Sequence, residues 1–331
     1  MTDRIIMEHG SGGQATSELI REIFEQNFSN DVLNAMEDAA VVAGTKKIAI
    51  TTDSFVVTPV EFPGGDIGRL SICGTVNDLL MRGATPKYIT CGFILEVGCE
   101  IETIKRVVKS MAETAKEAGV IVVAGDTKVI DGNGGFYINT TGVGLFEVDC
   151  DIKAANAKVD DVIIASGNMG DHHACILSQR MGIKNTIKSD NAPLTDMVRG
   201  LIDNGIEVRT LRDVTRGGLG TVLCELAEAS KKEFEISEEL IPVNPMVKDF
   251  CGLLGLDPLY MGNEGKLIAI VSKKDADKAL SIIKANNYGK DACIIGRVNE
   301  MADFPRVIQK SSIGGRRQVG ILQGEGLPRI C

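Results

Sequence analysis

The sequence predicts a mixed α/β (α+β) protein of two domains with a flexible C-terminal tail. Three observations carry that prediction. The chain has 331 residues, more than one ordinary hydrophobic core holds. Apolar runs of strand length are interspersed with segments of helical period, the mixture that gives α/β architectures. This pattern stops in the polar stretch from Asp149 to Asp161 and then restarts. The expected organisation is a first domain over residues 1–150, a second over 151–317, and a tail over 318–331 that carries Cys331.

In the first domain, Lys47 to Asp53 reads as an extended apolar run ending on an acid. From Asp66 to Gly83, Ile67, Leu70, Cys73, Gly74, Leu80 and Met81 recur at helical spacing, interrupted by polar Asn77 and Asp78. Tyr88 to Val97 reads as a strand, and Glu100 to Ala118 as an amphipathic helix closed by Gly119. Val120 to Asp126 is expected to be a buried strand, again ending on an acid, and Phe136 to Phe146 another strand. In the second domain, strands are expected at Val162–Ser166, Leu267–Ser272 and Cys293–Val298, and helices at Gly217–Ser230 and Asp275–Asn286. Periodicity leaves the strand order open.

Composition narrows the function classes. Hydrophobic residues make up 44% of the chain and charged residues 24%, as in soluble globular proteins. The net charge of −9, with no basic block, argues against nucleic-acid binding. No apolar run reaches the length of about 18 residues needed to span a membrane, and the N-terminus does not read as a signal peptide, so a cytoplasmic protein is expected. The nine cysteines stand singly without a C-x-x-C pair, which argues against a zinc site and a disulfide framework.

Asp38, Asp53, Asp78 and Asp126 lie in separate segments, each beside small residues or a glycine. Any one alone reads as a turn or cap residue. Together they suit magnesium, a hard cation that takes carboxylates plus substrate phosphate oxygens, as in ATP sites. Asp126 and Lys128 stand two apart on extended chain and so share a face. Lys128 is either an ordinary surface lysine or a cation set to stabilise a transferred phosphoryl group. The glycine-rich runs His9–Gly13 and Asp131–Gly135 expose backbone N–H groups that could cradle anions, although neither is a Walker motif. The second reads more simply as a hairpin turn. Asp213-Val214-Thr215-Arg216-Gly217-Gly218 leads into a helix, a good anion site to which Arg216 adds charge. Asp171, before His172 and His173, is expected to cap a helix rather than to bind a metal.

Taken together, these segments resemble the AIR-synthetase-like (PurM-like) ATPase superfamily over nearly the whole chain. His9-Gly10-Ser11-Gly12-Gly13, Glu37-Asp38-Ala39-Ala40, Thr51-Thr52-Asp53, Asn77-Asp78-Leu79, Gly125-Asp126-Thr127-Lys128 and Asp213 to Gly218 stand in that superfamily's order. The terminal Pro328-Arg329-Ile330-Cys331 resembles the mark of one branch, the hydrogenase-maturation HypE family.

The resemblance implies a first domain that forms a homodimer through its sheet, with a second α/β domain packed on it. It implies ATP and Mg2+ at the junction, held by Asp38, Asp53, Asp78 and Asp126, with Gly12, Gly13, Asp213 and Arg216 also in the nucleotide site. It also implies a carbamoyl group received on Cys331 from the carbamoyltransferase HypF. ATP-dependent dehydration of that thiocarbamate would give a thiocyanate, whose cyanide passes to iron on the HypC–HypD complex during [NiFe]-hydrogenase maturation. Lys128 matches the family's charge-stabilising lysine, and Glu264, in Gly262-Asn263-Glu264-Gly265, its base. His173 stands where the family pattern has glycine, and neither His172 nor His173 receives a catalytic role.

Three rival readings stay open. Selenophosphate synthetase carries a reactive cysteine or selenocysteine in its N-terminal glycine-rich region, whereas the first cysteine here is Cys73. Thiamine-monophosphate kinase needs no terminal thiol. A non-catalytic docking subunit would turn over no ATP.

Overall fold

The computed structural model describes residues 3–35, 39–148 and 150–322. The expected site residues Asp38 and Cys331 lie outside the described residues. The described chain begins with a 3-10 turn, Met7–Gly10, and a helical stretch the sequence reading did not identify. That stretch comprises α1 (Gln14–Leu19), a π-helical segment (Ile20–Glu25) and α2 (Gln26–Phe28). Leu19, Ile23, Phe24 and Phe28 are its buried residues, with the Phe24 ring 4.7 Å from that of Phe93.

The first sheet is built from β1 (Ile48–Phe55), β4 (Thr85–Glu96), β5 (Ile121–Ile130) and β6 (Phe136–Leu145) in the order β1-β6-β4-β5. A two-stranded ribbon, β2 (Glu61–Phe62) and β3 (Gly65–Asp66), leads into α3 (Ile67–Leu80). Asp66 caps α3 by accepting the Arg69 N–H at 2.8 Å. α3 is buried nearly all round, and α4 (Ile101–Ala118) presents one apolar face, with Val107 and Met111 packed against Gly68 of α3. Gly119, at φ 74°, closes α4 in the left-handed conformation that a side chain would disfavour.

One face of this sheet carries the core residues Ile89, Cys91, Phe93 and Leu95. On the other, Ile48, Ile50, Ile94 and Ile130 are between 42% and 64% exposed, an apolar patch left uncovered by the described residues.

The second sheet has seven strands in the order β13-β12-β9-β11-β7-β10-β8. These are β7 (Val162–Ala165), β8 (Val208–Asp213), β9 (Glu233–Ser237), β10 (Leu267–Val271), β11 (Cys293–Asn299), β12 (Arg306–Lys310) and β13 (Arg316–Val319). The accompanying helices are α5 (Asp171–Arg180), α6 (Thr195–Asp203), α7 (Gly218–Ser230), α8 (Pro245–Leu254) and α9 (Ala276–Ala285). Every residue of β10 is buried. Leu267, Ala269 and Val271 join a core that also holds first-sheet residues such as Ile89 and Leu95, while Ile268 and Ile270 face a second cluster around α7. The two halves of the chain therefore share one apolar interior.

Several expectations are corrected. Val120 to Asp126 is not a buried strand ending on its acid. β5 runs on to Ile130 at a sheet edge, paired only with β4, and Asp126 sits exposed in mid-strand. Asp131–Gly135 is not a hairpin, because β4 lies between β5 and β6. Its N–H groups do hold an anion, the chain's own Glu96: the amides of Asn133 and Gly135 donate to Glu96 Oε2 at 2.7 and 2.8 Å. The helix cap before α5 is Gly170; Asp171 is the first helical residue and makes no capping bond. The tail does not begin at Gln318, which pairs with Ile308 in the β12–β13 ladder. Further anchorage follows, with the Tyr260 hydroxyl donating to the Gly320 carbonyl and the Leu322 amide to Thr221 Oγ1.

Candidate active site

A polar cavity of about 390 Å³ lies where the first sheet and α3 meet the second half of the chain. Four carboxylates line it, Asp53 from β1, Asp78 from α3, Asp213 from the end of β8 and Glu264 from the loop before β10, together with Arg212 and Arg216. Local structure aims each one. Asp53 pairs in register with Thr140, which pairs with Cys91, so all three lie on the α3 face of the sheet. The hydroxyl of Thr75 donates to Asp53 Oδ2 at 3.2 Å, and that of Thr51 donates to Asp78 Oδ2 at 2.8 Å.

The Glu264 loop is held from three directions. Asn263, fully buried, donates through Nδ2 to the Val214 carbonyl at 3.0 Å and accepts the Gly170 N–H on Oδ1 at 2.8 Å. The Gly262 carbonyl accepts the His173 N–H at 3.1 Å, and the Gly262 N–H donates to His173 Nδ1 at 3.4 Å. The Glu264 N–H donates to Asp190 Oδ1 at 3.0 Å. Gly265 lets this loop press against Asp190, because a Cβ there would stand 1.9 Å from the Asp190 carbonyl oxygen.

The electrostatics match the crowding. Burial, then Asp190 and Asp213, holds the Glu264 carboxyl well above its ordinary range, against the opposing pull of Arg216. Asp213 is pushed up to about 7 by burial and then by Asp78. Asp53 is raised by burial and by Asp78, and Asp78 by burial. Desolvated acids that repel one another are a site waiting for positive charge, and their oxygens are the donors a hard cation takes. Among the described residues no three His, Cys, Asp or Glu side chains are placed to hold a metal ion by themselves. Asp53 and Asp78 fit Mg2+ only as a pair completed by phosphate oxygens, which is how that ion is ordinarily bound at nucleotides.

Not every expected residue joins this cavity. Asp126 pairs in register with Gly92, and Lys128 with Ile94, which puts both on the uncovered face of the sheet, opposite Asp53. They occupy the other edge as well, three strand spacings or about 14 Å from β1. There Lys128 Nζ donates to Asp126 Oδ2 at 2.5 Å, and this bond holds the Asp126 carboxyl below its ordinary value. Gly12 and Gly13 lie at the start of α1, where the Gly12 amide donates to Thr16 Oγ1 at 3.0 Å and Gly13 caps the helix. Asp190, Asn263 and the two threonines were not singled out from the sequence. Asn263 stands in the glycine-flanked run that holds Glu264, but Asp190 lies in a loop with no periodic signal.

The sequence and the fold are similar to those of known proteins. Residues 36–146 match the N-terminal domain of AIR synthase related proteins and residues 158–306 the C-terminal domain. The carbamoyl dehydratase HypE of Cupriavidus necator is 46% identical over 99% of this chain and 95% of its own length. The chain belongs to the HypE carbamoyl dehydratase family. A crystal structure of the hydrogenase maturation protein HypE in complex with ATP superposes with a TM-score of 0.95 at 42% identity, over 98% of this chain and 99% of that one. In a crystal structure of a HypE–HypF complex, the matching chain is 45% identical, with a TM-score of 0.80 over 92% of this chain and 99% of that one. The two-domain AIR-synthase-type fold of the HypE family is thus the fold of this chain. Among the described residues no helix is long and apolar enough to cross a membrane.

Proposed function

We propose that this chain dehydrates a carbamoyl group carried on its own Cys331 to a thiocyanate at the expense of ATP, supplying cyanide for a [NiFe]-hydrogenase. The observation that carries this reading is the cavity in which Glu264, buried and held above its ordinary carboxyl range, faces Asp53, Asp78, Asp213 and Arg216. In the reaction, the carbamoyl oxygen attacks the γ-phosphorus of ATP and ADP leaves. The nitrogen then gives up its two protons while the C–O bond breaks, phosphate departs, and a C≡N bond remains on sulfur. Glu264 takes a proton from nitrogen, a task suited to a carboxyl whose proton affinity burial has raised. Arg216 attracts the phosphates. Asp53 and Asp78 would hold Mg2+, which would supply charge neutralisation to the nucleotide's phosphates.

Asp126 and Lys128 enter through a second copy. The uncovered isoleucine patch suits a homodimer formed sheet against sheet, and that contact brings the Asp126–Lys128 pair of one chain toward the nucleotide of the other. Asp38, Gly12 and Gly13 are assigned to the nucleotide site by resemblance alone. HypF is the proposed carbamoyl donor, supported by the HypE–HypF complex of a 45% identical chain. The HypC–HypD complex is the proposed acceptor. Cys73, Cys91, Cys99, Cys175 and Cys251 are buried free thiols, in keeping with a reducing cytoplasm. Beyond Leu322 nine residues lead to Cys331, a span of at most about 30 Å when extended.

The test is intact mass of the C-terminal peptide after incubation with HypF, carbamoyl phosphate and ATP. A gain of one carbamoyl group on Cys331, followed by loss of one water, is expected. Modification of another cysteine in Cys331→Ala would refute the assignment. ADP formation without loss of water would refute the dehydration.

A further inference from the structure

A second polar cavity, of about 580 Å³, lies on the far side of the Glu264 loop. Asp171, Asp190, Asn191 and Lys266 line it, and the side chains of the first three hold groups that no atom of the described residues satisfies by a hydrogen bond. Asn191 is only 4% exposed, and neither its Nδ2 nor its Oδ1 has a hydrogen-bond partner. Asp171 Oδ1 and Asp190 Oδ2 are likewise buried without one. Lys266, with 10% of its side chain exposed, donates to the Gly265 carbonyl at 3.3 Å and stands 3.8 Å from Asp190 Oδ2, beyond hydrogen-bond range. Buried polar groups in folded chains are nearly always paired, because leaving one alone forfeits its hydration without replacement. This concentration of them in one cavity wall therefore points to a ligand.

The unsatisfied groups, together with the Lys266 ammonium beside them, define its chemistry. Acceptors stand on Asp171, Asp190 and Asn191; donors stand on Asn191 and Lys266. An anion such as phosphate would meet Asp171 and Asp190, and a metal cation would meet the Lys266 ammonium. A neutral group that both donates and accepts meets neither penalty. We propose that this cavity binds a primary carboxamide or carbamoyl group. Its NH2 donates to Asp190 Oδ2 and Asn191 Oδ1, and its carbonyl accepts from Asn191 Nδ2 and Lys266 Nζ. Because Asp190 Oδ1 also holds the Glu264 amide at 3.0 Å, the bound group lies beside the Glu264 loop. Resting on the function proposed above, the natural occupant is the S-carbamoyl group of Cys331, held there before it enters the nucleotide cavity for dehydration.

The experiment uses a free probe, so that it does not depend on turnover. N-acetyl-S-carbamoylcysteine methylamide, labelled with 13C at the carbamoyl carbon, is titrated into the full-length Cys331→Ala protein and followed by NMR. Saturable binding is expected. It should weaken by about tenfold in Asn191→Leu and in Lys266→Met, the equivalent of a lost buried hydrogen bond. The S-acetyl analogue, which lacks the NH2 group, should bind about tenfold more weakly than the carbamoyl probe. ATP affinity and melting temperature, measured on the same samples, confirm that each variant is folded. Absence of saturable binding would overturn the site, as would equal binding of both probes or unchanged binding in both folded variants. Probe binding in a protein whose Cys331 is never carbamoylated would leave the site standing and remove the proposed function instead.

Discussion

Asn77 Oδ1 accepts the backbone N–H of Leu194 at 2.9 Å, while its Nδ2 donates to the Ala192 carbonyl at 3.1 Å. One buried amide on α3 thus holds the loop that packs against Glu264. Asp78, the next residue, lines the carboxylate cavity.

Replacing Asn77 by alanine leaves the Leu194 N–H and the Ala192 carbonyl without their partner. Asn77→Ala is expected to destabilise the chain by about 2 kcal/mol, measured by urea unfolding at unchanged m-value. A change below a few tenths of a kcal/mol would mean that these two bonds do not secure the junction.

Asp53→Asn and Asp78→Asn each remove a charge from the proposed magnesium pair. Mg-dependent ATP affinity should fall by at least about tenfold in either variant, while affinity measured without magnesium changes little. Calorimetric titration with and without the metal separates the two cases. Equal losses under both conditions would assign these acids to something other than the ion.

Asp171 is pushed up to about 7 by burial, reinforced by Asp190 and Asp291 and opposed by Lys266. Its folded value lies above its unfolded one, near about 4. Between those limits the folded chain holds a proton that the unfolded chain has lost, so this group makes stability fall as pH rises. Asp171→Asn should therefore melt higher than the native chain at pH 8, and the gap should close as pH drops toward 4. Calorimetry across that range checks it; a pH-independent gap would place the effect elsewhere.

Ile50, on the edge strand β1, is 64% exposed on the uncovered sheet face. Ile50→Lys should convert the proposed homodimer to monomer in sedimentation analysis without lowering the stability of the chain. It should also abolish dehydration, because Asp126 and Lys128 would no longer reach a partner's nucleotide. A dimer that persists would move the interface away from this face.

The glycine-closed helix at Ile101–Ala118 and the apolar run into β1 were legible because each is specified by neighbours within a few residues. Family membership was equally legible, since the ordered motifs from His9 to Cys331 are strings of sequence. The acids stood out one by one in the sequence, but their grouping did not. Asp53 and Asp126 look alike as acids on apolar runs, yet strand order and register put them on opposite faces and opposite edges of one sheet. Asn77 looked like an interruption of an apolar helix because one of its partners lies 115 residues further along. Asp190 and Asn191 gave no local signal, for their unsatisfied atoms come from burial, and burial exists only once the two halves of the chain have packed.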